Sequence, residues 1–424
     1  MGNGNTEQEF SPEKDCQWSP LEEVLRAGAR RMLQAMIESE VNEFVKKYES
    51  QIDESGHRLV TRNGFREPRE LMTGLGPIEI KQPRVDDRKL RARAPAEGFT
   101  SNILPKGLRR VPSIDNLIPT LYLKGVSTGD FDIALKAILG DKAGGISAST
   151  VVNLKSCWEK EYQDWSKRDL SEKEYVYFWV DGIHCNVRLE DEKSCILVII
   201  GADIKGNKEF LAINDGFRES KLSWKELLLD IKNRGIKSGP RLAIGDGALG
   251  FWAALREVYP ETKEQRCWVH KTANVLDKLP KKLQRSAKIS IHEMYMAPDK
   301  ENALKVFDSF ISVYQDKYPK AVKCLEKDKD QLFTFYDFPA IQWIHIRTTN
   351  PIESTFATIR HRTYKTKNCG SRITTLAMVY KLGIESEKNW HKLKGHNIIP
   401  FVMGGEKFTD GVLENKTEVS ADAV

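Results

Sequence analysis

The sequence predicts a mixed α/β protein: a mixed sheet flanked by helices, interrupted by an all-α insertion and preceded by a mainly helical region. Two observations predict it. Aromatic and β-branched runs at Tyr175 to Val180, Ser194 to Ala202 and Lys208 to Ile213 read as a meander of buried strands, and helix and strand patterns alternate after them. From residue 274 to about 340 the pattern turns mostly helical, and Pro351 to Tyr364 is a further helix.

Residues 1 to about 18 are polar. Leu21, Val24, Leu25, Met32, Met36 and Ile37 then recur at three- and four-residue steps, so a helix is expected through Phe44 to Tyr48. Ser19 is its expected cap, with Pro20 in the first turn. Such a helix can dock on the chain or pair with a second subunit. Residues 58 to 95 carry Gly and Pro punctuation, the alternating run Ile78-Glu79-Ile80-Lys81 and many arginines. They read as a β-hairpin around Gly74 and Gly76, followed by a basic linker (Arg84, Arg88, Lys89, Arg91, Arg93). Ile114 to Lys124, Thr128 to Leu139 and Ser147 to Trp165 read as three helices, with a turn at Gly125 and caps at Ser127 and Ser147. Helices joined by a short turn suit a helix-turn-helix DNA-binding unit, although any small helical domain gives the same pattern.

Beyond the three strands, the helix Lys221 to Asn233 is closed by Gly235. A fourth strand, Arg241 to Ile244, ends on Gly245-Asp246-Gly247. The helix Ala248 to Val258 and a fifth strand, Thr262 to Val269, follow. Asn302 to Tyr314 places Leu304, Phe307 and Ile311 on one side of a helix, and Asn350 is the expected cap of the last one, with Pro351 in its first position. The tail beyond Gly404 is polar and slightly acidic.

With 40% hydrophobic and 30% charged residues in 424, the composition is that of a soluble globular chain, long enough for two to four domains. The longest strongly apolar run, Ile196 to Ile200, is far short of the ~20 residues that span a bilayer, and the Met1 region has no signal-peptide core. Seven cysteines without a Cys-x-x-Cys pair fit a reducing cytoplasm. The net charge of +6 conceals two basic stripes. Seven Lys/Arg lie between Arg266 and Lys288 against Asp277 alone, and six between Arg347 and Arg372 against Glu353 alone. Stripes of this kind are the footprint of a phosphate-backbone binder, or else simply a solvated face.

Asp181 ends one apolar strand run, and Asp246 follows another between two glycines. Sheets of this class place active groups at the carboxyl edge of their strands, and a buried carboxylate needs a partner or a metal. Carboxylates brought together from separate elements can hold two Mg²⁺ ions ~3.5–4 Å apart at a phosphodiester. Taken singly, Asp181 could begin a turn with Gly182, Asp246 could cap the next helix, and Glu353 could satisfy a helix dipole. Cys267-Trp268-Val269-His270 has no second Cys/His pair at zinc-finger spacing, and His292 and His345 are isolated. A core cysteine with a hydrogen-bonding histidine near the active edge is therefore expected.

Four segments occur in order: Val180-Asp181-Gly182-Ile183-His184, Gly245-Asp246-Gly247, Gln265-Arg266-Cys267-Trp268-Val269-His270-Lys271 and Arg347-Thr348-Thr349-Asn350-Pro351-Ile352-Glu353. Together they resemble the Mutator-type bacterial insertion-sequence transposases, over about residues 20 to 400, including Leu121 to Thr128. The two longer blocks are the specific ones. The resemblance implies a ribonuclease-H-like catalytic domain in which Asp181, Asp246 and Glu353 are the Asp-Asp-Glu ligands of two Mg²⁺ ions, with Mn²⁺ able to substitute. It gives Cys267 and His270 an architectural or substrate-positioning role. It makes Lys271, Arg347, Arg360 and Arg362 candidates for DNA-backbone contacts. Many members carry a His two residues after the second Asp, and here that position is Ala248.

The implied chemistry is hydrolysis of a phosphodiester at the element's end, then transesterification by the freed 3′-hydroxyl, without ATP or a covalent enzyme intermediate. The implied partners are double-stranded DNA, as terminal inverted repeats and target, and a second copy of the chain. The implied place is the bacterial cytoplasm, at the nucleoid. The expected organisation is a helical region with a possible dimerisation role (1–52), hairpin and basic linker (53–105), helix-turn-helix-like domain (106–170), first part of the core (171–273), all-α insertion (274–345), last core helices (346–404) and tail (405–424).

Overall fold

The computed structural model describes residues 19–123, 126, 130–139, 148–185, 194–216, 220–247, 249–365 and 371–414. The chain divides into two compact units, Met1–Val152 and Asn153–Val424.

The first unit opens with α1 (Pro20–Lys47). The Ser19 hydroxyl accepts from Glu22 N while the Glu22 carboxylate accepts from Ser19 N, a reciprocal cap that satisfies two otherwise orphaned donors. Ile37 packs with Leu71, Ile78, Ile80 and Leu104. Leu21, Val24, Leu25, Met32 and Met36 stay exposed, Met32 at 65%. Four strands follow: β1 (Thr61–Phe65), β2 (Arg69–Thr73), β3 (Gly76–Ile80) and β4 (Pro83–Asp86). β2 and β3 form the hairpin, closing on the Thr73–Gly76 pair, and β1 pairs with β4. Gly76 sits at φ +87°, a conformation that favours glycine.

The expected basic linker is partly ordered structure. Arg84 lies in β4, and Arg88–Arg93 form α2, held by Asp87, which accepts from Arg91 Nε (2.8 Å) and Phe99 N (2.7 Å). Three helices come next: α3 (Pro112–Leu123), α4 (Phe131–Leu139) and α5 (Ala148–Ser166). The expected turn at Gly125 and caps at Ser127 and Ser147 lie outside the described residues. The division between the units falls inside α5. From Asn153 this helix belongs to the second unit, where Tyr162 Oη donates to Ile213 O (2.8 Å) and the Trp165 ring lies 5.0 Å from that of Tyr380.

The second unit is built on a five-stranded mixed sheet in the order β7-β6-β5-β8-β9. The strands are β5 (Tyr175–Cys185), β6 (Ser194–Asp203), β7 (Lys208–Gly216), β8 (Leu242–Gly245) and β9 (Lys263–Arg266). β5, β6 and β7 are antiparallel, whereas β5, β8 and β9 are parallel. Both faces are covered, which is why Tyr175 to Val180 is an unbroken buried run. On one face Phe178, Val180, Leu197 and Ile199 pack with Trp224, Leu227 and Ile231 of α6 (Lys221–Asn233) and Phe251 and Leu255 of α7 (Leu249–Val258). Each such side chain contributes about 1.5–3 kcal/mol of burial. Strand alternation sends Tyr177, Trp179 and Asp181 to the opposite face. There the Tyr177 hydroxyl bonds Gln342 and Trp179 Nε1 donates to His345 O (2.9 Å).

The fifth strand is shorter than expected. Cys267 N makes the last rung, to Gly245 O (2.8 Å). Trp268 N turns instead to Arg347 O (3.0 Å), and Lys271 N bonds Cys267 O (3.0 Å), so α8 (Trp268–Leu276) begins inside the predicted strand. Helices α9 (Lys281–Met296), α10 (Lys300–Tyr314), α11 (Pro319–Glu326), α12 (Lys329–Leu332) and α13 (Trp343–Ile346) fill the segment before α14 (Asn350–Lys365) and α15 (Arg372–Glu387). No described helix is long and apolar enough to cross a membrane.

Candidate active site

Asp181 and Asp246 are placed by the sheet. In the β5–β8 pairing Trp179 stands opposite Ile244. Two residues further along come Asp181, within β5, and Asp246, just past the carboxyl end of β8, on chains that run side by side at strand spacing of ~4.8 Å. Gly245 allows the close approach, because a Cβ there would lie 3.0 Å from Val180 Cγ2. Gly247, at φ +90°, turns the chain away. Asp181 is 7% exposed, and its Oδ1 accepts from Gly182 N at 2.8 Å.

Glu353 arrives from the far side of the insertion on the first turn of α14. Thr349, not Asn350, starts this helix: its carbonyl accepts from Ile352 N (2.9 Å) and Glu353 N (3.1 Å). The same residue ties the helix to the β9–α8 junction. Thr349 N donates to Cys267 Sγ at 3.3 Å. Thr349 Oγ1 lies 3.3 Å from Cys267 Sγ, 3.4 Å from His270 Nδ1 and 3.1 Å from Glu353 Oε1. His270 Nδ1 is itself 3.9 Å from Glu353 Oε1.

His270 is pushed up to about 9, chiefly by its hydrogen bond to Cys267; burial opposes the rise, and the charges of Cys267, Asp181 and Asp246 add to it. Burial pushes the Cys267 thiol up, but hydrogen bonds from His270 and Thr349 outweigh it and leave the group below its ordinary value. Glu353 thus lies beside the His270 imidazole, and the charges of Asp181 and Asp246 reach the same ring from a strand and a strand-end turn.

Cys267, His270 and Glu353 each offer an atom within 4.8 Å of the others. The sulfur and the imidazole are already engaged with one another and with Thr349, whereas Asp181, Asp246 and Glu353 would offer hard carboxylate oxygens. That donor set suits Mg²⁺ or Mn²⁺ better than a closed thiolate site.

The cations divide differently from expectation. Lys271 is a correction: its side chain is 2% exposed, with Nζ 2.5 Å from Asp328 Oδ2 and donating to Cys324 O at 2.6 Å. It braces the interior through these two partners. Arg347 is partly buried, donating to Tyr295 O (2.6 Å) with its guanidinium over the Tyr295 ring. Arg360 is exposed on α14, above the Phe356 ring. The Arg362 side chain and Ala248 lie outside the described residues. Sequence reasoning assigned no role to Thr349 or Asp328. Thr349 stood inside a quoted block, and nothing local marks Asp328.

The profile of the transposase family named Mutator matches residues 5–393. The chain belongs to the Mutator family of transposases. It is 50% identical to the transposase for insertion sequence element IS6120 of Mycolicibacterium smegmatis over 308 residues, 72% of this chain and 95% of the relative. It is 48% identical to the transposase for insertion sequence element IST2 of Acidithiobacillus ferrooxidans over 291 residues, 67% and 96% of the two chains. With the transposase for ISRM5 of Rhizobium meliloti it shares 27% identity over 372 residues, 86% and 88%. In this Mutator transposase the acids, the Cys267–His270 pair and Thr349 all fall within the matched span.

Proposed function

We propose that this transposase binds the terminal inverted repeats of an insertion sequence and carries out metal-dependent strand cleavage and strand transfer at Asp181, Asp246 and Glu353. The observations that support the reading are the position of Asp181 and Asp246, each two residues beyond the paired Trp179 and Ile244, and Glu353 held 3.9 Å from His270. The order of the five-stranded mixed sheet supports a ribonuclease-H-like description of the core.

Asp181, Asp246 and Glu353 would hold two Mg²⁺ or Mn²⁺ ions. When bound, such ions supply an activated attacking oxygen and charge stabilisation at the leaving one. The chain's own residues do the rest. The sheet fixes two carboxylates at strand spacing, and Thr349 fixes the third. His270 sets a positive charge beside them, which lowers the repulsion that close acids would otherwise feel. Arg360 and Arg362 on α14 are the proposed backbone contacts, and neither ATP nor another nucleotide is required. Because two DNA ends are joined, we propose a homodimer, with the exposed stripe of α1 as its contact and the nucleoid as its place of action.

The test is cleavage and joining of a labelled DNA bearing the element's end, with Mg²⁺ or Mn²⁺. Asp181→Ala, Asp246→Ala and Glu353→Ala are each expected to lose at least ~100-fold while retaining end binding. End binding by the wild type without metal-dependent cutting would instead identify a DNA-binding regulator.

A further inference from the structure

A buried charge cluster lies directly behind the Asp246 turn. Arg266, the last residue of β9, is 6% exposed. Its Nε lies 3.2 Å from Asp328 Oδ2, the oxygen that Lys271 Nζ also meets. Two cations thus share one carboxylate, and among the described residues Arg266 Nη1 has no hydrogen-bond partner. A buried guanidinium held by a single bond is costly, so its orientation needs a reason.

The reason lies at Gly247. A Cβ there would stand 2.1 Å from Arg266 Cζ and Nη1, so the guanidinium rests against the bare backbone of the residue after Asp246. The carboxylate that clamps Arg266 belongs to the all-α insertion. Asp328 directly precedes α12, and that segment is sewn to β9 and α8 at several points. Gln265 Nε2 donates to Leu332 O (3.1 Å), Gln265 Oε1 accepts from Phe335 N (2.8 Å), and Trp268 Nε1 donates to Leu332 O (2.8 Å).

We infer that Arg266 is a positioning residue for Asp246, with Asp328 of the insertion setting Arg266 against the Gly245-Asp246-Gly247 turn. The insertion thereby takes part in shaping the divalent-ion site. This rests on the active-site reading above. Groups that orient a ligand without touching the ion typically change metal affinity by 10–100-fold when removed.

The test uses the full-length chain and Mn²⁺ alone, followed by electron paramagnetic resonance without DNA, beside cleavage of the element end across a Mn²⁺ series. Thermal melting and end binding are read on the same preparations. Asp328→Asn and Arg266→Lys are expected to weaken Mn²⁺ binding by roughly tenfold or more. The Mn²⁺ needed for half-maximal cleavage should rise by the same factor, while melting is cooperative and end binding is unchanged. Arg266→Lys keeps the cation and loses the flat face, and it carries the test if Asp328→Asn does not melt cooperatively. Unchanged Mn²⁺ affinity in a folded variant overturns the inference, as does loss of the fold in both, because the cluster would then be scaffold only. A wild type that takes up no more Mn²⁺ than Asp246→Ala, and does not cut, overturns the active-site reading itself.

Discussion

Thr349 has one proton to give and three neighbours at hydrogen-bond range. A hydroxyl donates once and accepts twice. With His270 protonated, its ring N–H donates to the Thr349 oxygen, and the hydroxyl proton goes to Glu353 or Cys267. The residue is thus a switchable link between the Cys267–His270 pair and the third acid. Thr349→Val keeps the shape and removes the link, so element-end cleavage should slow by roughly 10–100-fold with end binding unchanged, while Thr349→Ser retains the wild-type rate. Single-turnover cleavage kinetics decide the matter, and an unimpaired valine variant would remove Thr349 from the site. At this scale, legibility followed from position. Asp181 and Asp246 were visible because apolar runs end on them, and Glu353 because it stands alone among cations. Lys271 misled for the same reason: a lysine within a basic stripe reads as solvated, and its counterion Asp328 comes from the turn before α12, far along the chain.

Among the elements, α1 shows what periodicity can and cannot settle. Its apolar steps announced a helix, and Ser19 and Pro20 announced where it starts. They did not say which apolar residues would be buried. Ile37 enters the core beside Leu71 and Ile78, while its neighbour Met36 stays in solvent. A dimer built on the exposed stripe should dissociate on Leu25→Glu with Met32→Glu, seen as a halved mass in light scattering. The melting of the monomer should hardly change, since substitutions at exposed sites usually stay within ~0.5 kcal/mol. An unaltered mass would place the contact elsewhere. The end of β9 was illegible for a different reason. Cys267 to Val269 is apolar enough for a strand, and only the competing acceptor on Arg347, brought in by the last helices, bends the chain into α8.

For the molecule as a whole, the modest net charge is less informative than which cations are exposed. Of the basic residues first considered as DNA contacts, Lys271 is buried and Arg347 is held by Tyr295, which leaves Arg360 exposed among those described. End binding should weaken steeply with salt, and Arg360→Ala should reduce the slope of log K against log salt by about one, without changing sequence preference. Titrations at several salt concentrations measure this, and an unchanged slope would exclude Arg360 from the interface.

The separation of the acids along the chain also has a consequence during synthesis. Asp181 and Asp246 leave the ribosome early, but Glu353 and Thr349 follow only after the whole insertion has been translated. At cellular elongation rates that delay is roughly 5–20 seconds. If the proposed site is right, a nascent chain carries two of the three acids before the third is made. On the proposed reading, competence waits for Glu353, so products truncated before it are expected not to cut DNA.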